Sequence, residues 1–328
     1  MLGTPPRGTF VYSGRYRVQS KRKSVSSTIS GVWHPLARSM IDCESINSAL
    51  ASHPLYWGDS AIAIRSADVQ ARTGAFAKEN DALYYRESFE PRPSTRGFDV
   101  DIIDLTKLQA LWQRRRQFLA NLFGKHHFQQ IEQSIGDIPN AASNEYHCHE
   151  GGHNVGMPIS FKYAKGYFRP NGNTCWPLIY MEELRADILS LRFALEILSD
   201  SAAAAVFLFQ ICHRFGLALE SCVRGKAGIG PLPFLLFTEL RRIKAIQLQR
   251  EKHRVWLRFV NLNKGYLNDA ILRLATLGER TFGKWEQQTQ DLTSLALRYA
   301  RWYRSRLLNA AAMAEFGDLF CCAESDRR

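Results

Sequence analysis

The chain has 328 residues, which is enough to bury a sizeable core in one large or two modest domains. Hydrophobic residues make up 45% of it and charged residues 23%, which is typical of a soluble globular protein and not of a disordered one. Its 43 Lys and Arg residues against 31 Asp and Glu residues give a formal net charge of +12, which raises nucleic acid or an anionic substrate as partners. Because the basic residues are scattered along the chain, nucleic-acid binding is not favoured.

The cysteine pattern and the hydropathy predict the cellular location of the protein. The seven cysteines are odd in number and contain no Cys-x-x-Cys pair, which predicts a reduced, cytoplasmic chain. No uninterrupted hydrophobic run reaches the roughly 18 residues of a membrane span. The N-terminus also lacks the apolar core of a secretory signal. We therefore expect no association with a membrane.

The first part of the chain, residues 1–97, is predicted to be irregular with short strands. The stretch 9–18 is typical of a β-hairpin, and 60–64 is a further strand candidate. A turn-rich break at 90–97 predicts a domain boundary. Residues 98–328 then follow as a helical domain, so the expected fold class is mainly α (α+β).

Helical periodicity begins at Asp104, whose side chain can cap a helix that ends near Gly124. A shorter helix runs to about Gly136, and Asn144 is the predicted cap of the next one. Beyond residue 200 the pattern predicts helices at 201–219, 230–249, 266–280 and 285–316, with a strand at 255–260.

The pattern His-Glu-x-x-His lies at residues 149–153. On a helix His149 and His153 are one turn apart on the same face, so both imidazoles can reach one metal ion. Glu150 is rotated by about 100° from His149, which places a carboxylate beside the open position of the metal. A zinc hydrolase needs such a general base, because zinc lowers the pKa of a bound water toward ~7 but the proton must still be removed.

Residues around this pattern have different expected roles. His147 projects to another face of the helix and is expected to be a cap or a substrate contact, and Cys148 a small core residue. Gly151 and Gly152 each cost about 1 kcal/mol in a helix interior relative to alanine. We expect them to let another element approach closely. The aromatic, turn-rich stretch 158–177 is predicted to be a wall or lid of a substrate pocket, or else a small β-turn subdomain.

A third metal ligand is predicted on a helix that follows this stretch. Apolar residues from Leu184 to Leu198 recur at helical spacing, and Glu183 and Asp187 lie one turn apart at the edge of that stripe. A buried carboxylate is costly unless it is paired or binds a metal. We assign Glu183 as the third ligand and Asp187 as the acceptor for the free ring N–H of a ligand histidine. Glu182 is the competing ligand, with no carboxylate behind it.

These two motifs together resemble the gluzincin metallopeptidases. The sequence Glu-Glu-Leu-Arg-Ala-Asp at 182–187 is similar to the second zinc motif of dipeptidyl-peptidase-III-like proteins. The resemblance covers roughly residues 145–200, and only two residues separate Glu150 from the second histidine where those peptidases have three. It implies a zincin-like helical catalytic domain, zinc on the two histidines and Glu183, Glu150 as general base, and Asp187 behind a ligand.

The motifs favour a zinc-dependent hydrolase acting on a peptide or small amide. Such an enzyme also needs a donor for the oxyanion, and Tyr180 and His213 are the candidates. Two histidines and one carboxylate also suit iron(II), so a non-haem oxygenase is the alternative. A basic nucleic-acid-binding protein with a structural metal is the second alternative, but such a site has no need of Glu150.

Overall fold

The chain is helical with a mixed sheet at its N-terminal end, which confirms the predicted mainly α, α+β class. A computed structural model of the protein describes residues 8–17, 23–35, 40–56, 61–78, 82–91, 99–156, 176–223, 231–251, 254–285 and 292–325. The predicted wall or lid at 158–177 lies almost entirely outside these residues, as does most of the predicted boundary at 90–97.

Eight strands are seen in the described residues. They are β1 (Thr9–Tyr16), β2 (Val25–Trp33), β3 (Ile64–Arg72), β4 (Leu83–Tyr84), β5 (Phe89–Pro91), β6 (Asp101–Asp104), β7 (Ile246–Glu251) and β8 (Arg254–Phe259).

Ten α-helices are seen in the same residues. They are α1 (Cys43–Ser52), α2 (Leu105–Phe123), α3 (Lys125–Ile135), α4 (Ile138–His153), α5 (Trp176–Ile197), α6 (Asp200–Val223), α7 (Leu232–Arg242), α8 (Lys264–Gly278), α9 (Leu292–Leu307) and α10 (Ala310–Ser325). A π-helical turn, Glu279–Gly283, extends α8.

The N-terminal region is more regular than predicted. Its strands form a six-stranded sheet in the order β4-β6-β3-β2-β1-β5, antiparallel except for the parallel pair β3 and β6. The predicted hairpin at 9–18 is instead one arm, β1, which pairs along its length with β2. The expectation of short strands was wrong, because pairing between strands that are distant in the chain is not visible in the sequence of either strand. Strand β2 and helix α1 were not predicted. Strand β6 follows the predicted domain boundary and pairs with β3, which precedes it, so the sheet contains residues from both predicted domains. The two-domain division stays a prediction.

Two predicted helix boundaries were wrong. The segment 230–249 is helical only through α7, because Lys244 has a positive φ of 58° that ends the helix before strand β7. The segment 285–316 contains two helices, and Asn309 caps the second by accepting from the Ala312 N–H at 3.1 Å. The predicted strand at 255–260 and the helix that Asp104 caps are confirmed.

Helix α4 is tied to the N-terminal region in its interior and just beyond its C-terminal end. Asp137 caps it, accepting from the Asn140 N–H at 3.1 Å, so the predicted cap Asn144 was wrong. Asn144 is buried inside the helix, where its side chain accepts from the Ile41 N–H at 2.7 Å. Just beyond the helix, the Gly156 N–H donates to the Leu55 carbonyl at 2.8 Å. These bonds position the helix that bears both histidines.

Helix α6 forms the centre of the helical core. Its stretch Asp200–Ser221, with a mean hydropathy of 1.6, is the one part of the described chain long and apolar enough to cross a membrane by length and composition. No uninterrupted hydrophobic run marks this stretch in the sequence, because Gln210, His213 and Arg214 lie within it. In the fold, 78% of the stretch is buried, and it packs against α2, α4 and α5. The polar residues that interrupt it contribute to the site described next.

Candidate metal centre

The two histidines lie in the last turns of α4 and direct the same ring nitrogen to one point. The Nε2 atoms of His149 and His153 are 3.1 Å apart, and their ring planes are nearly perpendicular at 88°. Two ligands about 2.0–2.1 Å from a tetrahedral zinc lie roughly 3.3 Å from each other. The pair is therefore spaced as two zinc ligands are.

Glu183 approaches the same point from α5. Its Oε2 is 3.3 Å from Nε2 of His149, and its Oε1 is 3.9 Å from Nε2 of His153. The Glu183 side chain is 32% exposed, against 9% for His149, so the centre opens to solvent beside the glutamate. A cation bound by the two imidazole nitrogens and the Glu183 carboxylate would have three protein ligands, which leaves the fourth tetrahedral position open.

Glu150 lies next to the histidine pair. One of its carboxylate oxygens and one ring nitrogen from each of His149 and His153 are all within 4.8 Å of one another. Its side chain is half-buried, which reduces its solvation. The carboxylate is thus near enough to exchange a proton with a group held between the histidines, and its role as base stays a prediction.

A buried carboxylate lies behind His149, in an arrangement we call the Asp187 support: His149, Asp187 and Arg214. The Nδ1 of His149 is 2.8 Å from Oδ1 of Asp187. Arg214 donates to both oxygens of Asp187, from Nε at 2.9 Å and from Nη2 at 2.6 Å, and Gln210 donates at 3.2 Å. An Nδ1–H donated to Asp187 leaves the Nε2 lone pair for a metal. This geometry fits the predicted role of Asp187.

A matching arrangement lies behind His153, which we call the Glu182 support: His153, Glu182 and Arg185. The Nδ1 of His153 is 3.1 Å from Oε1 of Glu182, and Arg185 donates to both Glu182 oxygens at 2.9 and 2.5 Å. Arg185 also donates to the carbonyl oxygens of Gly152, at 3.3 Å, and Val155. The sequence argument treated Glu182 only as a competing ligand. The structure instead places it as the acceptor behind the second histidine.

Opposite charges govern the ionisation of this centre. Burial would raise the pKa of Glu183, but the hydrogen bond to His149 and the charge of His153 lower it to about 2. Burial would likewise raise the pKa of Asp187, but Arg214 and His149 hold it well below its ordinary range. Burial would lower the pKa of His149, yet these two carboxylates raise it well above its ordinary value. The centre therefore favours positive charge, which a divalent cation on Nε2 would supply.

The charge balance around the histidines also fits a cation. Five carboxylates stand against two guanidinium groups among the described residues there: Glu145, Glu150, Glu182, Glu183 and Asp187 against Arg185 and Arg214. A second compact set of donor atoms, also within 4.8 Å, consists of Glu145, His149 and Asp187. Both oxygens of Asp187 already accept hydrogen bonds from Arg214, and Asp187 also contacts Nδ1 of His149. We therefore do not assign this second set as a separate metal site.

The two glycines of the motif bring α4 close to α5. A Cβ atom on Gly152 would lie 2.9 Å from the Cα of Ala186 and would collide with its carbonyl oxygen. A Cβ on Gly151 would meet only the side chains of Ile46 and Phe193, at 3.1 and 3.2 Å. The expected close approach is thus confirmed at Gly152. It places the third-ligand helix against the histidines.

The neighbours of the first histidine belong to the core. Cys148 is 1% exposed, as predicted. His147 is buried at 3% exposure, and its Nδ1 is 2.8 Å from the Ser143 carbonyl oxygen one turn earlier. The prediction of a cap or substrate contact was wrong for His147, because its face of the helix packs against the N-terminal region.

The two candidate oxyanion donors lie on the helices that bear the site. Tyr180 is half-buried one turn before Glu183, and burial raises its pKa. The ring of His213 lies near those of Tyr146 and Phe209, with centroids 6.4 and 5.6 Å away. Burial and nearby arginines lower the pKa of His213 well below its ordinary value, so it is neutral. A catalytic role for either residue stays a prediction.

Sequence reasoning missed both arginines of the centre. Arg214 is the sole charged residue in the predicted helix 201–219, and a charge in an apolar helix needs a partner. That signal is present in the sequence, next to His213. Arg185 follows Glu182 at a spacing of three, which places the two on one helix face.

Comparison with known proteins gives a likeness in fold only. No family model matches the chain, and no curated protein sequence matches it. Among solved structures, that of DPP III from Caldithrix abyssi superposes with a TM-score of 0.52 at 13% sequence identity. The match covers 88% of this chain and 58% of that one, so the chain spans little more than half of the neighbour's length. The fold is therefore similar to that of DPP III.

Proposed function

We propose that the protein is a zinc-dependent metallohydrolase that cleaves a peptide or amide bond. The observation that carries the proposal is the convergence of His149, His153 and Glu183, with Nε2–Nε2 and Nε2–Oε2 separations of 3.1 and 3.3 Å. Each histidine has a buried carboxylate and an arginine behind it, as metal-binding histidines commonly do. The likeness in fold to DPP III, a dipeptidyl peptidase, adds support.

The residues of the chain divide the chemistry among them. A zinc ion held by His149, His153 and Glu183 would polarise a carbonyl and lower the pKa of a coordinated water toward ~7. Glu150 takes the proton as the water attacks and passes it to the leaving amine. Asp187 and Glu182 fix the ring orientations, so that both Nε2 atoms remain acceptors.

The negative charge on the carbonyl oxygen needs a donor besides the metal, and we assign Tyr180 and His213 as the candidates. Because His213 is neutral, it can donate an N–H to the oxyanion without placing a positive charge near the metal.

The competing functions make different demands. A non-haem iron(II) oxygenase would use the same three ligands but consume oxygen and leave Glu150 without a required role. A nucleic-acid-binding protein would bind DNA or RNA with an affinity that falls steeply with salt. Glu150 beside the histidine pair favours the hydrolase over both.

The test is elemental analysis combined with one conservative substitution. We expect about one equivalent of zinc in protein purified without added metal. We expect Glu150→Gln to retain that zinc but to lose about 10²–10⁴-fold of the activity on a peptide mixture, followed by mass spectrometry of the products. Glu196→Gln, on the exposed part of α5, is the matched control and should leave both unchanged.

Three outcomes would overturn the proposal. One is a full metal content in His153→Ala with unaltered affinity. Another is iron as the bound metal together with oxygen consumption, which would favour the oxygenase function. The third is undiminished hydrolysis in Glu150→Gln, which would remove the glutamate from the reaction.

A further inference from the structure

The outer face of α9 and the turn that joins it to α10 form an exposed surface that shares no residue with the metal centre. Four exposed residues lie on one line along this face: Leu297, Arg301, Arg304 and Leu308. Their spacing of four, three and four keeps them within about 60° of one another around the helix axis. The Leu308 N–H donates to the Arg304 carbonyl at 3.0 Å, so helical geometry reaches Leu308. The buried Leu295 and Tyr299 lie on the opposite side, which makes this line the outermost part of α9.

Apolar side chains are grouped where α9 turns into α10. Leu308 is 70% exposed, the largest value for a large hydrophobic residue among those described, and Met313 in the first turn of α10 is 45% exposed. Ala310, Ala311 and Ala314 beside them are exposed as well. A single exposed apolar residue is ordinary, but a group of them on one surface indicates a partner. The turn therefore favours contact with something apolar.

The charge along the same surface is positive. Residues 292–314 contain four arginines and no Asp or Glu. Arg306 is paired with the buried Glu239 at 2.9 Å. The other three are exposed and form no ion pair with a described residue: Arg298, Arg301 and Arg304. On α10, Glu315 and Asp318 are paired with arginines from other elements and do not neutralise these three.

An anionic lipid bilayer meets both demands of this surface. Its headgroups attract arginines that come within a Debye length. The boundary between its headgroups and acyl chains accepts apolar side chains to a depth of about 5–10 Å. A nucleic acid would complement the arginines through its phosphates but would leave Leu308 and Met313 in water. The combination of charge and apolar surface therefore favours the bilayer.

We propose that the turn between α9 and α10 binds peripherally to an anionic membrane surface. Leu308 and Met313 enter the headgroup region, and Arg301 and Arg304 contact the anionic headgroups. The sequence expectation of no membrane association concerned spanning segments and secretory signals, and peripheral binding requires neither. This surface is independent of the metal centre, so the proposal does not rest on the proposed hydrolase.

The experiment is flotation of the full-length protein with lipid vesicles. We expect binding to phosphatidylcholine vesicles that contain about 30% phosphatidylserine and none to vesicles of phosphatidylcholine alone. Added salt should weaken the binding, because it screens the arginines. The same measurement on the chelator-treated protein should give the same affinity, since no metal ligand lies on this surface.

A double substitution tests the charge. Arg301→Gln/Arg304→Gln should weaken binding to the anionic vesicles about 10- to 30-fold, because each arginine near the surface contributes separately. Lys125→Gln/Lys264→Gln is the matched control, since it removes two exposed positive charges from α3 and α8. The control should leave the affinity unchanged within twofold.

A single substitution tests the apolar contact. Leu308→Gln should weaken vesicle binding about three- to tenfold, because glutamine gains little from leaving water. Val11→Gln on β1 is the matched control, since Val11 is 68% exposed and lies in the N-terminal sheet. It should leave the affinity unchanged.

Four outcomes would overturn the proposal. One is failure of the unsubstituted protein to bind the anionic vesicles. Another is an equal loss in the lysine control, which would indicate diffuse attraction by the net charge. Undiminished binding in Leu308→Gln would show that the turn does not enter the membrane. Tighter binding to a DNA duplex than to the vesicles, lost in the double arginine variant, would assign the surface to nucleic acid.

Discussion

The two supports behind the histidines look alike but differ in their surroundings. In the Glu182 support, Arg185 is 0% exposed and also donates to the backbone carbonyls that end α4. In the Asp187 support, the side chain of Arg214 is 12% exposed and its Nη2 lies 3.9 Å from Oε2 of Glu183, the proposed third ligand. The first support therefore ties the histidine to the fold, whereas the second places a positive charge beside the metal position.

This difference predicts that stability and metal affinity depend on different halves of the centre. A buried charge that loses its partner destabilises the folded state. A charge close to a ligand acts mainly on the cation, because Coulomb energy falls with distance. Substitutions in the Glu182 support should therefore lower the free energy of unfolding most. In the Asp187 support, loss of the negative charge of Asp187 should weaken metal binding most, because the charge of Arg214 then acts uncompensated on the cation.

The largest expected effect comes from Glu183, the proposed third ligand, whose carboxylate lies near both histidines. Glu183→Ala leaves two histidines to hold the cation, so we expect the zinc affinity to fall by about three orders of magnitude or more. The free energy of unfolding of the metal-free protein should also fall, because the lowered pKa of Glu183 means that its carboxylate is stabilised in the folded state by His149 and His153. Competition with a chelator of known affinity measures the first quantity and urea denaturation the second. An unchanged affinity would remove Glu183 from the ligand set.

The two arginines give the direct comparison of stability. Arg185→Met leaves Glu182 charged and buried, so we expect a loss of about 3–5 kcal/mol in the free energy of unfolding of the metal-free protein. Arg214→Met should cost less, about 1–3 kcal/mol, because Asp187 keeps its contacts with His149 and Gln210. Urea denaturation in the presence of a chelator measures both. A larger loss in Arg214→Met would reverse the assignment of the two supports.

Much of the centre follows from local spacing, and the rest does not. His149 with His153, and Glu183 with Asp187, are pairs at a spacing of four, so the sequence places each pair on one helix face. The partnership of His153 with Glu182 depends on how α4 crosses α5, which no spacing within either helix reveals. The six-stranded sheet was missed for a related reason, since β2 pairs with β1 and β3 across intervening chain.

Amide substitutions compare the two supports in metal affinity. Asp187→Asn can still accept from His149 but leaves the charge of Arg214 uncompensated beside the cation, so we expect the zinc affinity to fall about 10- to 100-fold. Glu182→Gln should reduce it by less, since Arg185 remains bonded to backbone carbonyls away from the metal. Chelator competition on folded protein gives both values. In the double variant Asp187→Asn/Arg214→Gln, part of the affinity should return; a further loss would show that Arg214 does not act through its charge.

The smallest effect is expected from the contact between Gly152 and Ala186, which sets the distance between α4 and α5. In Gly152→Ala the new methyl group meets the backbone of Ala186, which cannot move without shifting α5, so we expect a loss of about 1–3 kcal/mol in the free energy of unfolding. Gly151→Ala is the matched control, because its methyl group meets side chains at 3.1 and 3.2 Å that can move by a few tenths of an ångström. In that variant the higher helix propensity of alanine, worth about 1 kcal/mol, opposes the crowding. Because Ala186 lies between the third ligand and the Asp187 support, Gly152→Ala should also weaken zinc binding, whereas Gly151→Ala should not. Equal zinc affinity in the two variants would mean that the centre tolerates a wider separation of α4 and α5.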